Sequence, residues 1–130
     1  MCLTVCIGSN VPLATREFSE AAPDFNVRTL EPREESVRGV LPFPHVYSLG
    51  AHTSCACGFS AEEEEDGPDL RSSRAALASY VAEAARLGEV ALYVCWNGDA
   101  EPPSESFELA PPDLASMDEW LAPGSYVRVT

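Results

Sequence analysis

The sequence predicts an α+β (or mixed α/β) domain, with one sheet of about four to six strands and a single dominant helix packed on it. Three observations carry this. Residues 69–87 repeat apolar side chains at helical spacing. Several short segments either alternate apolar and polar residues or concentrate apolar ones, as strands do. Their order, strand, irregular, two strands, helix, strand, irregular, strand, places one helix among many strands rather than one after each.

Each element has a local reason. Residues 2–7 form a first strand in which Leu3, Val5 and Ile7 point one way and Cys2, Thr4 and Cys6 the other. A loop follows to about residue 24, punctuated by Pro12 and Pro23. Residues 25–30 are a short or edge strand, and Glu31 to Val40 a short helix with Pro32 in its first turn, where a missing N–H costs nothing. Pro42-Phe43-Pro44 leads stiffly into a strand over 45–49, ended by Gly50. The segment Cys55-Ala56-Cys57-Gly58-Phe59 is expected to return as its hairpin partner.

The helix over Asp69–Leu87 is the clearest element. Leu70, Leu77, Val81 and Ala84 make its apolar stripe, Ala78 and Ala85 widen it, Pro68 and Asp69 suit its start, and Gly88 suits a left-handed stop. Residues 89–96 are apolar on both faces, as a strand covered on both sides requires. Asn97-Gly98-Asp99 turns the chain. Residues 106–109 read as an edge strand after a Pro-rich loop, 112–121 as a short helix or two turns, and 126–130 as a final strand. No repeat or second domain is visible, so residues 1–130 are read as one domain, the usual size for one.

Composition narrows the function classes. The formal net charge is -13, from 21 acidic and 8 basic residues. The basic residues are all arginine, which with abundant alanine and proline points to a high-GC bacterial genome. Nucleic-acid binding needs a basic surface that displaces counterions from phosphates, and anionic membranes demand the same, so neither is an expected partner. An acidic domain can dock on a basic protein, although acidity of this kind is read first as keeping a small cytosolic protein soluble. No export signal or membrane-length apolar run is present, which predicts a cytoplasmic protein whose five cysteines are thiols, metal ligands or transient redox partners rather than a disulfide framework. The run Glu62–Asp66 lacks the spaced ligands of a calcium loop and reads as a solvated loop.

The chemistry concentrates in His52-Thr53-Ser54-Cys55-Ala56-Cys57-Gly58-Phe59. On an extended segment Cys55 and Cys57 project to one face, with His52 just before a turn. A sheet that sets this segment beside the first and the residue 89–96 strands would gather His52, Cys55, Cys57, Cys95 and Cys6. Thiolate and imidazole donors suit zinc, copper(I) or iron, so these five are the candidate metal ligands, with zinc or another thiolate-binding metal the implied cofactor. A thiol-redox role is the neighbouring reading, although the C-x-x-C of thioredoxin-type proteins is absent. Removal of Met1 would leave an amino-terminal Cys2 of the kind that acts as a nucleophile in some amidotransferases, but only two residues match. No G-x-S-x-G, P-loop, G-x-G-x-x-G or H-E-x-x-H pattern occurs.

The Met1-Cys2 start, Pro44-x-Val46-Tyr47-x-x-Gly50-x-His52-x-x-Cys55-x-Cys57-Gly58-Phe59 and Leu92-Tyr93-Val94-Cys95-Trp96-x-Gly98-Asp99 together resemble a group of small uncharacterised bacterial proteins. The resemblance spans most of the chain and implies a shared architecture, with no activity, ligand or partner attached. The residues themselves support a metal-binding or thiol-bearing domain centred on His52, Cys55 and Cys57. The alternative is an acidic interaction module, of immunity or antitoxin type, that covers a basic partner; a third reading is a small enzyme with one cysteine nucleophile.

Overall fold

The computed structural model describes residues 2–60 and 67–130. It is an α+β fold with one mixed six-stranded sheet. The strands are β1 (Leu3–Ser9), β2 (Phe25–Thr29), β3 (His45–Ala51), β4 (Val90–Trp96), β5 (Glu105–Leu109) and β6 (Ser125–Val129), in the order β2-β3-β1-β4-β6-β5. All neighbours are antiparallel except β5 and β6. Helix α1 (Pro68–Leu87) is the dominant helix, and α2 (Pro111–Ser116) is a short one. The Glu62–Asp66 run, expected to be a solvated loop, lies outside the described residues.

Strand alternation sorts side chains into two layers. One row across the sheet, Tyr47, Ile7, Leu92, Val127 and Phe107, faces α1 and α2. The next row, Arg28, Ser48, Cys6, Tyr93, Tyr126 and Ser106, faces the other way. On the helix side Leu77, Val81 and Ala84 of α1 join Trp120 and the inward rows of every strand in one core. β1 and β4 are buried on both faces, as the unbroken apolar run of β4 predicts.

The second face is covered over only part of its width. A 3-10 turn over Pro32–Gly39 lies on it, and Val37 and Leu41 pack there with Cys6, Val46, Tyr93 and Cys95. The short helix read from the sequence here is wound as a 3-10 turn, with Val40 N–H bonded to Val37 O at 3.0 Å. The turn is fixed from within by Glu34, which has no exposed surface. Arg28 of β2 donates to its two carboxylate oxygens at 2.8 and 3.0 Å, the Glu31 N–H donates at 2.9 Å, and the Ser48 hydroxyl lies at 3.4 Å. Ser36 bonds Gly98 O at 3.2 Å and accepts from Ala100 N–H at 3.1 Å, which ties the turn to the end of β4. Gly98 has φ +76, and a Cβ there would come within 2.7 Å of Glu34 Cγ, so this position needs glycine twice over.

Two further expectations are corrected. Residues 55–59 do not form a hairpin strand: Ala56–Phe59 is a 3-10 turn, and only Thr53 and Cys55 make an isolated bridge. Gly88 closes α1 in extended backbone, φ 172, rather than left-handed. Its lack of a side chain instead lets the Asn10 amide reach the chain, where it accepts from Glu89 N–H at 3.0 Å.

Burial alone would push the Glu34 carboxyl up, but the Arg28 bonds, the Glu31 N–H and the Arg28 and Arg33 charges outweigh it and hold its pKa below the ordinary 4.5. A carboxyl lowered on folding stabilises the fold above its unfolded pKa, and that contribution is lost as pH falls through the folded value. Glu34→Gln is therefore expected to lower the urea unfolding free energy at pH 7 by about 2–3 kcal/mol. Its stability should also depend less steeply on pH below 4.5 than that of the parent chain, which equilibrium urea titrations at several pH values would check.

Candidate functional site

The segment from His52 to Phe59 leaves the end of β3 and crosses the end of the sheet beside the start of β1. It is shaped by a tight loop. Ser54 N–H bonds Ala51 O at 2.9 Å, Ala51 N–H bonds Cys55 O at 3.0 Å, and Ser54 takes the left-handed conformation at φ 73. Asn26 of β2, itself buried, donates to Ser54 O at 3.2 Å. Thr53 Oγ1 organises the interior of the loop: it accepts from Gly58 N–H at 3.1 Å, and its one hydroxyl proton faces both Cys55 O at 3.0 Å and Cys55 Sγ at 3.5 Å, so that it is shared between them.

Two consecutive residues of α1 hold the ends of this segment. Ser73 Oγ accepts from the His52 N–H at 3.0 Å and meets His52 Nδ1 at 2.9 Å. Arg74 donates from Nε to Phe59 O at 2.7 Å and pairs with Asp118. The Phe59 ring is fully buried against Phe25, with ring centroids 6.3 Å apart, so the far end is anchored in the core. Ser73 and Arg74 are not among the residues singled out from sequence. Their signal was present nonetheless, because they fill the step between Leu70 and Leu77 where the stripe of α1 should be apolar.

The five candidate ligands separate into different environments. His52 turns toward α1, with Nδ1 engaged by Ser73. Cys57 packs against the helix-side core, and its sulfur accepts the Leu3 N–H at 3.3 Å. Cys55 lines a small pocket of about 50 Å³ with Cys2, Arg28, Arg33, Glu34 and Ser48. Cys6 and Cys95 are buried beneath the Pro32–Gly39 turn on the second face, with the sheet between them and the Cys57 side. Among the described residues, no group of three or more His, Cys, Asp or Glu side chains is placed to hold a metal ion.

The sulfurs differ in acidity as their surroundings dictate. Burial pushes Cys6 far above the ordinary thiol range, and the neighbouring Cys95 and Glu34 charges add to this. Burial raises Cys95 to about 11, with Asp99 and Glu34 adding to it. Burial likewise raises Cys57 to about 11, assisted by Cys55 and Cys2 against the Leu3 N–H bond. Cys55 moves the other way. Burial opposes its ionisation, but hydrogen bonds from Thr53, from the backbone at Cys57 and from the Cys57 thiol outweigh it and lower the pKa.

No family model, curated protein or solved structure matches this chain. Functional assignment therefore rests on the site itself. No helix among the described residues is long and apolar enough to cross a membrane.

Cys6 and Cys95 are expected to resist iodoacetamide in native buffer and to react fully in guanidinium, which tryptic mass spectrometry would read directly. Gly50→Ala tests the loop: a Cβ there meets the Ser54 carbonyl oxygen and the Asn26 amide, and a backbone oxygen cannot move aside cheaply. The expected cost is about 1–3 kcal/mol in denaturant unfolding.

Proposed function

We propose that the chain is a thiol-bearing domain whose chemistry centres on Cys55 and Cys57, with Cys55 the reacting sulfur and His52 part of the scaffold that shapes their loop. The observation that carries this reading is the hydrogen bonding of Cys55. Cys55 is half-buried, lines a small pocket and has the Thr53 hydroxyl 3.5 Å from its sulfur, with its pKa lowered by hydrogen bonding, whereas burial raises that of its neighbour Cys57. A thiolate is the nucleophilic form of cysteine, so lowering one pKa and raising the next assigns them unequal roles. Cys2, an exposed thiol, lines the same pocket.

The metal-binding half of the reading has less support. Structural zinc takes four ligands, and the sheet divides the candidate set. A soft metal held at this end of the sheet would draw on Cys55 and Cys57 first, since these two sulfurs share one short loop.

The test is the pH dependence of iodoacetamide labelling, followed at each cysteine by mass spectrometry. Cys55 should react about tenfold faster than Cys57 at pH 7, with a midpoint below the ordinary cysteine value, and Thr53→Val should slow it. A Cys55 midpoint at or above the ordinary value would refute the assignment. Stoichiometric zinc, copper or iron in protein purified without an affinity tag, lost in the Cys55→Ser, Cys57→Ser double variant, would move the reading to metal binding.

A further inference from the structure

The two edges of the sheet are treated differently. β2 forms one edge, and the chain closes it itself: Arg16 and Val27 exchange N–H···O bonds at 2.8 Å each way, with the Arg16 side chain over the Phe25 ring. β5 forms the other edge and pairs only with β6. Glu105 N–H bonds Gly124 O at 3.3 Å and Leu109 O accepts from Thr130 N–H at 2.9 Å, so residues 105 and 109 turn their backbone toward β6. Backbone groups of successive strand residues face alternate edges, which leaves the N–H and C=O of Ser106 and Glu108 pointing outward. No described residue bonds them.

This open edge is acidic. The stretch from residue 101 to 109 carries Glu101, Glu105 and Glu108 and no cation, and all three are exposed. Across the ladder the one basic neighbour is Arg128, which meets Glu108 at 3.5 Å with both side chains about two-thirds exposed. The whole chain carries -13. Two such edges brought together would oppose carboxylate to carboxylate, so a second copy is disfavoured, while a cationic strand would be drawn in.

We infer that β5 is a docking edge for an extended basic segment of another protein, which adds to the sheet as a seventh strand through Ser106 and Glu108. Main-chain bonds supply the register, and alternating cations of the partner, all on one face of its strand, lie on the Ser106 and Glu108 face and meet Glu108, with Glu105 adding to the negative field from the other face. The surface lies apart from the cysteine loop and does not depend on the thiol reading.

The experiment uses a blocked eight-residue peptide alternating valine and arginine, titrated into the full chain, with amide hydrogen exchange read by NMR. The Ser106 and Glu108 amides should slow about tenfold or more, and apparent affinity should fall about tenfold between low and high salt. Ser106→Pro removes an outward donor without breaking a β6 bond and should abolish binding with little change in Tm. Should that variant fold poorly, the Glu105→Lys, Glu108→Lys pair should weaken binding about tenfold. The inference is overturned if those amides keep their exchange rates, or if protection falls on β2 instead. It is equally overturned if the peptide with glutamate in place of arginine binds as well, or if sedimentation shows a dimer that protects Ser106 and Glu108 without peptide.

Discussion

A carboxylate with no exposed surface governs the second face of this sheet. Glu34 would be costly to bury alone, so it is viable only because Arg28, the Glu31 N–H and Ser48 converge on it. Those partners lie on β2, at the residue that leads into the turn and on β3, which fixes the turn over one half of the sheet. The rest follows from that placement. Val37 and Leu41 of the turn region bury Cys6 and Cys95, while Tyr126, Arg128 and Glu108 farther along the face remain partly or fully exposed. Arg28 and Glu34 also line the pocket at Cys55, so one ion pair serves the fold and the surroundings of the thiol.

The other support of the cysteine loop comes from the opposite layer. Ser73 and Arg74 occupy buried positions of α1 and use them for hydrogen bonds rather than apolar contact. A helix that offers polar groups at its core-facing stripe gives up some hydrophobic stabilisation in return for a defined loop geometry. The loop between those anchors is thus held at His52 by Ser73, in the middle by Asn26 and at Phe59 by Arg74. Such a loop keeps Thr53 against Cys55, on which the lowered thiol pKa depends.

Legibility in the sequence tracked how local each cause was. The stripe of α1 and the apolar run of β4 are local patterns, and the helix and strand lie where those patterns place them. The alternation Leu3, Val5, Ile7 against Cys6 likewise sorted the two faces of β1 correctly. Residues 55–59 misled because a C-x-C alternation looks like a strand, whereas the Thr53 hydroxyl and the left-handed Ser54 bend the chain before a ladder can form. Burial of Glu34 was not readable at all: its stabilising partner is a guanidinium six residues earlier on another element, and nothing in the local composition separates it from the exposed Glu35. The division of the cysteines is equally non-local, since it depends on strand register and on which face each layer covers.

That division also decides what five cysteines can do. Distributed between the two layers and the loop, each has the chemistry of its surroundings. Cys6 and Cys95 act as small core side chains, and their raised pKa values follow from the same desolvation that makes them good packing residues. Cys57 is intermediate, held by a backbone N–H at the rim of the core. Cys55 alone combines partial exposure with enough donors to overcome its own burial. The difference between the two thiols thus arises from the loop that carries them, and Gly50, outside the Cys55–Cys57 segment, leaves the room in which that loop brings the Ser54 carbonyl and the Asn26 amide against β3.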